Sequence, residues 1–86
     1  MKDFDDVRNE LKEEDPSLFF ILEITGKLLA ARQRKEISQR ELSRMTGVAQ
    51  KTISRIESGI DVPTIETLGK LAHALGMKIT IVEDRE

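Results

Sequence analysis

The chain contains no cysteine, only one histidine, two prolines, and three phenylalanines as its sole aromatics. Without cysteine there is neither a disulfide framework nor a thiolate metal centre, and one histidine cannot build a zinc site without several carboxylates. The longest unbroken apolar run, Leu18 to Leu22, is far shorter than the roughly 20 residues that span a bilayer. The acidic N-terminus lacks the basic region that opens a signal peptide, so a soluble chain in a reducing cytoplasm is the expectation. Catalytic patterns are missing as well: there is no glycine-rich phosphate loop, no nucleophile elbow, and only His73 to serve a triad. The paired carboxylates Asp5-Asp6 and Glu13-Glu14 read as solvated helix faces. No enzyme, metal or cofactor is therefore expected. With 86 residues the chain makes one small domain with a modest core, which oligomerisation would enlarge.

The net charge of −2 conceals a segregation. Residues 1–15 carry three cations against seven acids, a net −4, whereas residues 27–55 carry eight cations against two acids, a net +6. A local basic zone of this kind attracts phosphate whatever the average charge. Charged helices are commonly just solvated faces, so the clustering gains meaning only through the motif it surrounds.

That motif runs from Ser38 to Gly59. Ser38-x-x-Glu41 is a capping box in which hydroxyl and carboxylate both satisfy backbone N–H groups, which starts a helix at Gln39 and carries it to about Thr46. Gly47 supplies the positive φ of a tight turn. After Val48 and Ala49 a second helix places Ile53 and Ile56 inward and leaves Gln50, Lys51, Ser54 and Arg55 facing out. Ser58-Gly59 closes it. Two short helices, a three-residue turn, and amides and cations on the second helix suit entry into a DNA major groove.

Around the motif, Asp3 can cap a first acidic helix with Phe4, Val7 and Leu11 as an apolar stripe, ending near Glu14. Asp15-Pro16 restarts the chain as a long helix to about Lys35, since proline fits the first helical position. Leu28 and Ala31 face inward in its second half. Its first half, Leu18 to Ile24, is apolar nearly all round and needs more than one neighbour, such as the first helix and a second protomer. Thr64 caps a last helix from Ile65 to about Leu75, with Ile65, Leu68, Leu71, Ala72 and Leu75 on the core side and Glu66 paired with Lys70 outside. Gly69 in its middle suggests a close helix contact, and His73 reads as a plain surface residue. Met77 to Val82 alternates and is rich in β-branched residues, as in a strand. A lone strand has no partner in its own protomer, so Met77, Ile79 and Ile81 are expected to pair across a homodimer; the alternative is an extended tail. Residues 1–86 are thus organised as an acidic N-terminal helix (1–15), a helix-turn-helix domain (16–76) and a dimerisation strand (77–82).

From about Leu28 to Leu75 the chain resembles the Cro/CI (Xre) family of helix-turn-helix regulators. The likeness rests on Gln39, Leu42, Gly47, Val48, Ile53, Ile56, the Glu57-Ser58-Gly59 run and the Pro63 to Leu68 run P-T-I-E-T-L. It implies an all-α, five-helix, lambda-repressor-like DNA-binding domain. Three departures stand out. Ala49 takes the place of a Ser or Thr cap, Glu36 replaces a common glycine, and Ile60-Asp61 replaces a basic loop that touches phosphate.

The resemblance assigns Gln50, Lys51 and Arg55 to base edges, with Ser54 either reading a base or merely fitting. Glutamine can pair with adenine, and arginine or lysine with guanine. It assigns Gln39 and Thr52 to phosphate, helped for Gln39 by the N-terminus of its helix, and Arg32 with Glu57 to a structural salt bridge. The implied partners are a palindromic operator in double-stranded DNA, with half-sites one turn apart, and a second copy of the chain. The overall layout further resembles HigA-type antitoxins, which implies an autoregulating repressor whose partner is a basic, RelE-like ribonuclease toxin bound through residues 1–15. A stand-alone regulator, or a protein-interaction domain that has lost DNA binding, are the alternatives.

Overall fold

The computed structural model describes residues 4–84, which form five helices: α1 (Phe4–Glu14), α2 (Pro16–Arg34), α3 (Gln39–Thr46), α4 (Gln50–Glu57) and α5 (Ile65–Ala74). Three helix starts are set by a side-chain cap. Asp15 accepts the Leu18 N–H at 3.0 Å ahead of Pro16, Ser38 accepts that of Glu41 at 3.0 Å, and Thr64 accepts that of Thr67 at 3.1 Å. The proposed cap Asp3 lies outside the described residues, as do the side chains of Phe4 and Leu11. The capping box is made only on its serine side, since the Glu41 carboxylate accepts from the Arg44 guanidinium on the next turn.

Leu28 and Ala31 of α2, Leu42 of α3, Ile53 and Ile56 of α4, and Leu68, Leu71, Ala72 and Leu75 of α5 make one buried core. α3 packs on α4 and α5, and α2 on α4. Leu42 and Ile53 are 2% and 1% exposed, which fixes the mutual angle of the two motif helices. Thr25, buried in α2, satisfies its hydroxyl by donating to the Ile21 carbonyl at 2.9 Å. α1 lies on α2, with the Lys12 ammonium 6.0 Å from the Phe19 ring centre.

Several expectations are corrected here. Ile65 is 84% exposed rather than in the core. It opens α5, and Pro63 and Leu68, not Ile65, meet Ile21, Ile24 and Thr25 of α2 around a small cleft. Gly69 is exposed, and a Cβ added there would meet nothing within 4 Å, so it permits no close contact. In keeping with the need for more than one neighbour, Val7 remains 45% exposed and Phe20 58%, so α1 covers the apolar half of α2 only in part. α2, by contrast, ends as expected, at Arg34 with Lys35 as its C-cap.

The strand expected at Met77 to Val82 is not formed in the single protomer, where residues 77–84 follow α5 without regular structure. Met77 packs against the core, whereas Ile81 is 96% exposed. The physical reason is that a β-ladder requires a second strand, and no other segment of alternating β-branched residues exists to supply one. No helix among the described residues is long and apolar enough to cross a membrane.

Candidate nucleic-acid interface

The turn between α3 and α4 is built by three neighbours. Gly47 adopts φ +76° and donates its N–H to the Ser43 carbonyl at 2.8 Å. The Thr46 hydroxyl donates to the Leu42 carbonyl at 2.7 Å and accepts from the Val48 N–H at 3.1 Å. This hydroxyl fixes the α3–α4 crossing from both sides, a role that a Thr-Gly dipeptide alone does not announce. Ala49 stands as N-cap of α4 with no side-chain cap bond, as expected, so the first N–H groups of the helix lack the side-chain acceptor that Ser or Thr would provide.

With Ile53 and Ile56 buried, α4 turns Gln50, Lys51 and Ser54 to solvent. Thr52 is half-buried at the side of this face. The four outward residues anticipated from spacing therefore lie on one helix surface, three of them accessible without rearrangement. Arg55 differs. Its Nε donates to Asp61 Oδ2 at 2.8 Å and its Nη2 to Asp61 Oδ1 at 3.1 Å, while both side chains stay about two-fifths exposed. Asp61 is thus a member of the surface that sequence reasoning counted only as the loss of a basic loop. The hydrogen bonds from Arg55 hold the Asp61 carboxyl below the usual carboxylate range, with the charges of Arg55 and Lys51 assisting. The pair stays charged across neutral pH.

Arg32 and Glu57 form a nearly buried ion pair. Arg32 Nε donates to Glu57 Oε2 at 2.7 Å and Nη2 to Oε1 at 2.8 Å, with the two side chains 13% and 11% exposed. Arg32 Nη1 reaches the Ile37 carbonyl at 2.8 Å. This bidentate fork ties α2 to the end of α4 and to the loop entering α3. The Glu57 hydrogen bonds push the guanidinium pKa of Arg32 up against the opposing effect of burial.

Gln39 joins the same cluster, its Nε2 donating to Glu57 Oε1 at 2.9 Å. The phosphate contact expected of this amide thus sits beside an inner partner that a spacing of eighteen residues does not reveal. A primary amide carries two donor hydrogens, so one remains after the bond to Glu57. Gln39 is accordingly anchored at the N-terminus of α3 rather than freely rotating. Among the described residues no group of histidines and carboxylates is arranged to hold a metal ion. His73 lies exposed on α5.

Residues 28–82 match the helix-turn-helix family model HTH_3. The chain is 40% identical over 73 residues to an uncharacterized HTH-type transcriptional regulator of Haemophilus influenzae, covering 85% of this chain and 70% of that protein. It is 43% identical over 58 residues to another such regulator, of Sinorhizobium fredii, covering 67% of this chain but 30% of that protein. Among solved structures, a chain of the toxin-antitoxin module from Streptococcus pneumoniae superposes with a TM-score of 0.74 at 36% identity, covering 96% of this chain and 94% of the other. The match over residues 28–82 and the buried Arg32–Glu57 tie beneath the exposed face of α4 lead to one assignment: this chain belongs to the helix-turn-helix family of the Cro/CI (Xre) type, a family of DNA-binding transcriptional regulators rather than enzymes.

Proposed function

We propose that this protein is the antitoxin of a type II toxin-antitoxin pair and represses its own operon by binding a palindromic operator as a homodimer. The observation that carries the antitoxin reading is the extent of the likeness to the Streptococcus pneumoniae toxin-antitoxin chain. It runs over 96% of this chain, well beyond the 28–82 segment shared with the wider family, and so takes in α1 and the apolar half of α2. On this reading α4 enters the major groove, Gln50, Lys51 and Arg55 read base edges, Ser54 stands beside them, and Gln39 and Thr52 hold phosphate.

Homodimer formation is supported by the apolar surface left open. Phe20, Ile24 and Leu28 of α2 border Met77 and Ile79 around a groove of about 300 Å³. Ile81 and Val82 continue from it almost fully exposed. A second copy could pair its 77–82 segment with this one and cover both. Operator and ribosome-dependent toxin both reside in the cytoplasm, where the antitoxin would act.

The exposed acids of α1, including Glu13 and Glu14, suit a basic, RelE-like ribonuclease. The test is co-expression of the full chain with the protein encoded by the adjacent gene. The intact chain should abolish the growth arrest that protein causes. The variant Glu13→Lys/Glu14→Lys should protect less well, yet shift operator DNA as before. If the intact chain neutralises nothing encoded beside it, the protein is a stand-alone regulator, the reading that its two relatives named only as transcriptional regulators favour.

A further inference from the structure

We propose that Asp61 is a specificity-determining residue of the DNA-reading surface: it grips Arg55 side-on, so that this arginine offers a base only its distal, end-on fork. The inference rests on the reading of Arg55 as a base contact and goes beyond it by adding the residue that aims it.

The geometry begins with the end of α4. Gly59, at φ +80°, reverses the chain so that the N–H of Ile60 bonds to the Arg55 carbonyl at 2.9 Å and that of Asp61 to the same carbonyl at 3.2 Å. This closure brings the Asp61 side chain back along the helix to the side chain of Arg55. The carboxylate then engages Nε and Nη2 of the guanidinium at 2.8 and 3.1 Å. Arg55 and Asp61 are therefore joined twice, through backbone and through side chains, and the pair is set before any ligand arrives.

A guanidinium has five N–H donors in a fixed plane. The side-on bond to Asp61 uses one on Nε and one on Nη2. The remaining parallel pair, one hydrogen each from Nη1 and Nη2, points away from the carboxylate, and such a fork matches O6 and N7 of guanine. Unrestrained, a long arginine on an exposed helix can swing to a phosphate as readily as to a base, and phosphate contacts carry no sequence information. Asp61 limits that swing.

Asp61 also acts through its charge. An acid beside the reading face repels the phosphates of every duplex alike, and at physiological ionic strength this repulsion reaches about 8 Å. That lowers general affinity beside the reading face. The combination of an aimed arginine and a repelling carboxylate raises the ratio of specific to non-specific binding. A residue that merely closed the helix would not alter that ratio.

The experiment uses the full chain with Asp61→Asn and Asp61→Ala, and Arg55→Ala as reference. Each is titrated against the selected operator and an unrelated duplex at several salt concentrations, with thermal unfolding followed in parallel. Both Asp61 variants should bind the unrelated duplex more tightly and lose roughly five- to tenfold in specificity ratio. The preference they relax should be at the same base pair that Arg55→Ala relaxes, with folding intact. An unchanged ratio and unchanged preference in both Asp61 variants, while Arg55→Ala does relax that base pair, overturns the role of Asp61 alone. If Arg55→Ala itself leaves the preference unchanged, the base-reading assignment of Arg55 fails, and the proposal with it.

Discussion

At the scale of single residues, the cation that governs the motif is one that never touches the reading face. Arg32 directs three hydrogen bonds inward, two to Glu57 and one to the Ile37 carbonyl. Truncation would leave the Glu57 carboxylate, 11% exposed, with only Gln39 as neighbour. Losing one partner of a buried pair typically costs about 3–5 kcal/mol. Arg32→Met is thus expected to lower unfolding stability by about 3 kcal/mol, measured by urea titration, and to weaken DNA binding only through loss of folded protein. A variant of unchanged stability that still loses DNA binding would instead make Arg32 a direct contact. Pairs such as Arg32–Glu57 were legible because the resemblance supplied both ends. Arg55–Asp61 and Gln39–Glu57 were not, because nothing in a six- or eighteen-residue separation says which side chains a turn or a helix crossing will bring together.

At the scale of elements, helix starts and the motif turn could be read closely from sequence, while burial at helix ends could not. Capping depends on chemistry three residues apart, so Asp15, Ser38 and Thr64 carry their own instructions. Glu41 shows the limit: its carboxylate had two local choices, and Arg44 won over the backbone. Ile65 fits the periodicity of α5, yet its side chain stays exposed while Pro63 and Leu68 meet α2. Gly69 gives the most direct check at this scale. It lies exposed within α5 with open space at its Cβ position, so Gly69→Ala should raise stability by about 0.5–1 kcal/mol through helix propensity and a less flexible unfolded chain. A loss of stability on chemical denaturation would mean that the bare backbone of α5 meets something, such as a second protomer, that alanine obstructs. α2 departs from the family in the opposite sense. Just beyond its C-cap, Glu36 adopts φ 56°, where a glycine would take the left-handed conformation without penalty, so a non-glycine residue holds the corner into α3.

At the scale of the whole molecule, the net charge of −2 is the sum of unlike parts, and the fold keeps them on different elements. The acids cluster on α1 and the cations surround α3 and α4, while the open apolar surface belongs to α2 and the 77–84 segment. The tail was the least legible part of the chain, since an alternating pattern specifies a strand but not the chain that completes it. We propose that the exposed face of α4 reads DNA sequence while Gln39 on α3 supplies affinity without discrimination. The most direct test selects operators from a randomised duplex library with the intact protein, then titrates wild type, Arg55→Ala and Gln39→Ala against the selected site and its single-base variants. Arg55→Ala should lose roughly 5- to 150-fold on the selected site and tolerate substitution at one base pair per half-site, whereas Gln39→Ala should weaken all duplexes by a common factor. Selection of no preferred sequence, or an Arg55→Ala profile identical in shape to wild type, would contradict the account.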